Sequence, residues 1–376
     1  MKSLRPIILV LLAAAGWAAA SRVPARIEDN LRRRGGAAAA TWSGGRSSPL
    51  LVFTTVGLGA FRGLLIDAMW SRVTDLQERG DYVEIAQLAG WITKLEPRLP
   101  AVWDYHAFNM AYNISSLFAD PAERWRWVSA GIRLLRDEGL LYNPDQSLLY
   151  DRICRVYQHK LLEYSDSGRP YYRLALASEV QTAFGGPRPD RANGSGPESR
   201  ATEALHLDPA LMRDVERRYG PLDWRLPAAH VLYWATLGRA HAQARQTAAF
   251  DGLISEALID NVADGAVVEL DPAAGRLVTG PRLDAFPNTV ALFHRMAEQY
   301  GVSLGSDAPF AGLYRYFLRK VWLVARGADA YRLLRDESRD VREGETEEAY
   351  RARVEREMAA MTGGAAVEPQ ATERHP

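Results

Sequence analysis

Apolar residues recur at three- and four-residue spacing through most of this chain from Ile66 onward, and that period commits it to amphipathic helices. Met69, Val73 and Leu76 mark one such face over Ile66 to about Gln77. Ile85, Leu88, Ala89 and Ile92 mark a second over Tyr82 to Leu95, which Pro97 and Pro100 end. A third helix starts near Ala101 and carries Trp103, Ala107, Met110 and Ile114 on one face. Only Val267 to Val278 reads otherwise. There VVELDPAAGRLV holds two short β-prone runs around Asp-Pro-Ala-Ala-Gly, which predicts a small hairpin.

At 376 residues the chain is long enough for one large or two ordinary domains. Its 46 basic and 46 acidic side chains cancel, which argues against a nucleic-acid partner, whose usual electrostatic footprint is a basic excess. The single cysteine, Cys154, builds neither an intrachain disulfide nor a cysteine-rich metal site, so packing alone must hold the fold. Its expected place is inside a helix as a small buried residue. Ten tryptophans and sixteen tyrosines suit wide helix–helix seams with polar tips at the solvent edge.

Lys2 and Arg5 precede the apolar run Pro6 to Ala20, and Ala18-Ala19-Ala20 before Ser21 offers small residues for cleavage. The run is short for a spanning helix, so residues 1–20 are expected to be a signal peptide or a membrane anchor. Residues 21–48 form an Arg/Gly/Ala-rich linker, and a second apolar segment follows over 49–65. Followed on to Met69, the apolar stretch is interrupted by Arg62 and Asp67, which makes it marginal as a span. The linker arginines and the pair Lys2 and Arg5 pull toward opposite orientations, which leaves the side of the membrane open.

The segment GDYVEIAQLAGWITKLEP, Gly80 to Pro97, resembles the turn and second helix of a tetratricopeptide repeat. Gly80 and Tyr82 sit at the turn, Ile85 and Ile92 take the packing positions, Pro97 ends the unit, and Trp103 stands where the next unit has its aromatic opener. The resemblance covers about one and a half units, from Ile66 to Asn113. Beyond it, helices are expected over Asp120–Asn143, with an Asp120-Pro121 start, and over Ser147–Leu162, with Leu149, Ile153, Val156 and Tyr157 inward. The resemblance implies an irregular tetratricopeptide-like α-solenoid over 66–184; the longer stretch is similar to membrane-anchored repeat proteins of bacterial envelopes. GGPRPDRANGSGPESR, residues 185–200, is a linker. A C-terminal helical region over 201–361 follows, with helices at Pro209–Tyr219, Pro227 to about Phe250, Asn288–Tyr300, Pro309–Ala325, Ala328–Glu337 and Glu345–Met361. Residues 362–376 read as a disordered tail.

Catalytic signatures fail on context. Gly301-Val302-Ser303-Leu304-Gly305 fits a nucleophile-elbow spacing, but helical residues precede it where a strand is required. The seven histidines show no ligand spacing, so neither a metal nor a cofactor is expected. Two clusters remain. His106, Asn109 and Asn113 lie at i, i+3 and i+7 on one helix face and form either a polar ladder in a groove or packing groups satisfied by neighbouring loops. Asp223, Trp224, Arg225 and His230 crowd around two prolines and form either a pocket or a clamp between the chain's two halves. The function expected is a membrane-associated scaffold in the cell envelope that binds a peptide or protein partner and performs no chemistry. The alternative is an envelope enzyme or enzyme subunit for a lipid-linked or glycan substrate, built on Asp223, Arg225 and His230.

Overall fold

The computed structural model describes residues 49–163, 166–189, 203–325 and 344–361. The signal or anchor segment, the Arg-rich linker, most of the 185–200 linker, the helix expected at Ala328–Glu337 and the tail lie outside the described residues. The fold is mainly helical with one two-stranded antiparallel sheet. It falls into two compact units, one ending at Leu95 and the other beginning at Glu96.

In the first unit α1 (Pro49–Arg79) and α2 (Tyr82–Leu95) form a helical hairpin. Gly80 turns the chain at φ 76°, a left-handed conformation that favours glycine. Ile66, Val73 and Leu76 of α1 and Ile85, Ala89 and Ile92 of α2 are buried, whereas Met69 and Leu88, expected on the same faces, are only half-buried. An ion pair of 3.0 Å joins Arg72 to Glu84 across the turn. The apolar segment 49–65 and the amphipathic run after it are one unbroken helix, with no boundary at Ile66. Among the described residues no helix is long and apolar enough to cross a membrane.

The second unit opens with α3 (Pro100–Phe108), α4 (Pro121–Arg133), the single turn α5 (Leu140–Tyr142), α6 (Ser147–Tyr157) and α7 (Arg169–Phe184). Asp120 caps α4 as expected, its side chain accepting from the Ala122 amide with Pro121 in the first turn. Leu149, Ile153, Val156 and Tyr157 are buried, and Cys154 lies fully buried beside them with its thiol pushed well above its usual pKa by burial. Three of these helices widen into π turns: Asn109–Ile114 after α3, Leu134–Gly139 after α4 and Gln158–Leu162 after α6. Each wide turn rotates the face that follows. After Trp103 and Ala107 the buried stripe therefore passes through Ala111 to Ile114, and Met110, expected inward, is only half-buried.

After the linker come α8 (Pro209–Tyr219), α9 (Pro227–His241) and α10 (Ala244–Asp264). The single helix expected from Pro227 to Phe250 is two. The chain turns extended at Ala242 and Gln243, and Gln243 and Gln246 form a reciprocal capping box that starts α10. No glycine or proline marks this break, so periodicity alone ran through it. Every residue of α9 from Pro227 to Thr236 is buried, which makes it a central helix apolar on all sides. It packs on α10, its neighbour in sequence, and on α6, three helices earlier. Gly238 permits the approach: a Cβ there would collide with the Phe250 ring and stand 2.6 Å from Tyr150 Cβ.

The expected hairpin is present as β1 (Ala266–Asp271) and β2 (Arg276–Gly280), with a bulge between Val267 and Glu269. In its turn the Ala274 amide donates to Asp271 Oδ1, and Gly275 has φ 69°. Then follow α11 (Phe286–Tyr300), α12 (Pro309–Ala325) and α13 (Glu347–Met361). Phe286, Phe293, Phe317, Trp322 and Tyr350 share a second apolar cluster. Gly301 ends α11 in the left-handed region, so the serine motif behind it sits in a loop after a helix.

Candidate functional site

Asp223, Trp224, Arg225 and His230 do come together, as a closed structural set. Arg225 donates to both carboxylate oxygens of Asp223, at 2.9 and 2.6 Å, and its third branch reaches Gln181 Oε1 on α7 at 3.0 Å. The Trp224 amide donates to the Pro187 carbonyl and its indole to Glu216. His230 Nε2 donates to the Trp224 carbonyl at 2.9 Å, the ring stacks on Tyr157, and burial lowers its pKa to about 4. A neutral imidazole among apolar walls, beside an arginine already committed to its carboxylate, offers no open position to a substrate. The arrangement is a clamp that ties α7 and the start of the linker to the head of α9.

His106, Asn109 and Asn113 divide differently from expectation. His106 lies in the last turn of α3, buried, with its pKa lowered to about 4 by desolvation and its Nδ1 without a hydrogen-bond partner among the described residues. Asn109 and Asn113 lie in the π turn, where Asn113 Nδ2 donates to Asn109 Oδ1 at 3.1 Å.

That same π turn carries Tyr112 to an open polar pocket of ≈ 410 Å³, lined also by Arg124, His159, Lys160, Glu163 and Asp166. The third π turn supplies His159 and Lys160, so two wide turns face one pocket, and such turns concentrate at functional sites. Arg124 comes from the half-buried first turn of α4, and Asp166 from the segment that leads into α7.

Two cations share one carboxylate at its floor. Lys160 Nζ donates to Asp166 Oδ2 at 2.9 Å, while Arg124 Nη2 forms an ion pair with Asp166 Oδ1 at 2.8 Å and its Nη1 donates to Ser167 Oγ at 3.0 Å; the side-chain exposures are 9, 16 and 6% for Lys160, Arg124 and Asp166. The Gly168 amide and the Tyr172 hydroxyl also donate to Asp166 Oδ1. Burial by itself would raise the Asp166 carboxyl, but the Lys160 and Gly168 bonds and the field of both cations outweigh it and hold its pKa below the usual value. The triad retains one unit of positive charge, and the buried Nε of Arg124 has no acceptor.

Above this floor, Lys160 Nζ sits 4.9 Å from the Tyr112 ring centre, a cation–π contact. The Tyr112 hydroxyl donates toward the Arg155 carbonyl at 3.4 Å and lies 3.0 Å from His159 Nδ1. Burial pushes the phenol up to about 12 and lowers the His159 imidazole, so at neutral pH the phenol keeps its proton and the imidazole is uncharged. A phenol held at this level is no nucleophile at neutral pH. Glu163, half-exposed on the rim, lies 3.9 Å from His159 Nε2, so its nearest partner is a neutral ring.

One sequence signal pointed here. The inward period through Ile153, Val156 and Tyr157 also places Lys160 inward, and a lysine on a buried face needs a partner. Comparison with protein-family models, with curated proteins and with solved structures finds no match for this chain.

Proposed function

We propose that the protein is a membrane-associated helical scaffold, of irregular tetratricopeptide-like build, whose pocket at Tyr112, Arg124, Lys160 and Glu163 receives a peptide or protein partner. The observation that carries this reading is the unclosed charge at the pocket floor, where a buried carboxylate serves two cations. Partner surfaces place such groups where a complementary charge arrives and fixes the register. Phe108, 38% exposed and stacked on Tyr112 at 4.7 Å, adds an apolar shoulder at the pocket. The membrane location rests on the sequence: the apolar run Pro6 to Ala20 behind Lys2 and Arg5, and the apolar start of α1. The repeat character rests on Gly80 to Pro97, whose turn and inward face follow the tetratricopeptide pattern. The enzyme alternative loses its support, because Asp223, Arg225 and His230 are occupied in the clamp.

Site-specific photo-crosslinking in membranes tests the reading. With benzoylphenylalanine at Phe108, a discrete crosslinked species is expected, whereas the same group at Val268, 71% exposed on the hairpin, yields none. Equal yields from both positions, or none from Phe108, would count against a partner at this pocket.

A further inference from the structure

The pocket has two unlike ends, and both are short of a partner. At the floor, Lys160 and Arg124 divide a single carboxylate; Arg124 Nη1 has Ser167 Oγ, but the buried Arg124 Nε has no acceptor among the described residues. Leaving a buried charged donor unsatisfied is costly, more so than for a neutral group. At the rim, Glu163 is half-exposed, and its one ion-pair partner among the described residues is the His159 ring, at 3.9 Å. Residues 159–163 bring the imidazole, the ammonium and the rim carboxylate to the same opening within five positions of the chain. The floor calls for one negative charge and the rim for one positive charge. At ≈ 410 Å³ the space falls in the range of small-ligand pockets.

The geometry points to a binding site for a small zwitterion, its singly charged oxyanion held by Lys160 and Arg124 and its ammonium by Glu163. A free α-amino acid and an ethanolamine phosphodiester headgroup share this chemistry. The Tyr112 ring, already engaged by Lys160 and by Phe108, lines the same opening. A dianion is disfavoured, since it exceeds the floor's single surplus charge and meets Glu163. This inference goes beyond the partner-binding reading and is read out separately from it.

The test uses the full-length chain with arginine side chains labelled with ¹⁵N, the Arg124 Nε resonance being assigned with Arg124→Lys. Glycine and glycerophosphoethanolamine are titrated as the two zwitterions, acetate and methylammonium as their halves. The Arg124 Nε resonance is expected to shift with at least one zwitterion, at about threefold or more lower concentration than with acetate. Lys160→Met is expected to weaken both zwitterion and acetate by about tenfold, the scale of a charge-assisted bond. Glu163→Gln, a conservative change at a half-exposed position, is expected to weaken the zwitterion but not acetate. Which zwitterion binds more tightly separates the amino acid from the headgroup. No shift with either zwitterion, acetate binding as well as both, or a Glu163→Gln variant that treats zwitterion and acetate alike would each overturn the proposal. A silent titration beside a Phe108 crosslink would remove the zwitterion and leave the scaffold reading standing.

Discussion

The clamp around Asp223 and the pocket around Asp166 each bury a carboxylate with a cation, yet they differ in how the charges are closed. At the clamp one arginine meets one carboxylate through two bonds, its remaining branch has Gln181, and the neighbouring imidazole is neutral with its donor satisfied. At the pocket one carboxylate serves Lys160 and Arg124, a donor is left over, and solvent reaches the opening. A closed set stabilises a junction and has nothing to offer a ligand. An unclosed one costs stability where it stands and becomes favourable when something binds.

The largest expected difference between the regions lies in stability. Asp223→Ala strands a buried guanidinium and should cost about 3–5 kcal/mol, the usual loss when one member of a buried pair is removed. Urea unfolding measures it, and a loss below about 1 kcal/mol would mean that the clamp does not hold the junction.

Acid should act next. His230 in the clamp and His106 in α3 both have pKa values lowered from 6.5 to about 4. The unfolded chain therefore binds protons that the fold refuses, and stability falls as pH drops from about 6.5 toward 4, by about 3 kcal/mol for each ring. His230→Gln, which keeps a donor for the Trp224 carbonyl, should flatten the pH dependence of stability by about one proton in that window. An unchanged slope would show that the ring is not held neutral.

Gly238→Ala should follow at about 1–3 kcal/mol, from overpacking against Phe250 and Tyr150. Thermal unfolding of this variant tests whether α9 is as tightly held as its burial requires.

The smallest effect is expected where the charge is in surplus. Lys160→Met leaves Arg124 and Asp166 as a neutral pair but removes the donor to Asp166 Oδ2, and should cost about 1–2 kcal/mol. A loss on the scale of Asp223→Ala would erase the distinction between the regions.

Much of the scaffold was legible in the sequence because burial on a helix face repeats with the turn. The inward residues of α6, the Asp120 cap, the Gly80 turn and the hairpin at 266–280 all follow from spacing or turn chemistry. The break between α9 and α10 was not, since a Gln–Gln capping box looks like ordinary helix until its two bonds form. Nor were the π turns, which insert one residue without a composition signal and move Met110 off the inward stripe. The candidate site suffered most from this. Crowded charges and aromatics drew attention to Asp223–His230, where they satisfy one another. The pocket instead gathers Tyr112, Arg124, Lys160 and Asp166 from four segments, and only the inward placing of Lys160 betrayed it.

The account turns on the surplus charge being functional, and one paired measurement addresses it: crosslinking yield from benzoylphenylalanine at Phe108 with and without Lys160→Met, with unfolding temperature recorded on the same samples. The yield is expected to fall about tenfold while the unfolding temperature moves by no more than about 8 °C, the shift of roughly two kcal/mol in a chain of this size. An undiminished yield in a folded Lys160→Met protein would contradict the account.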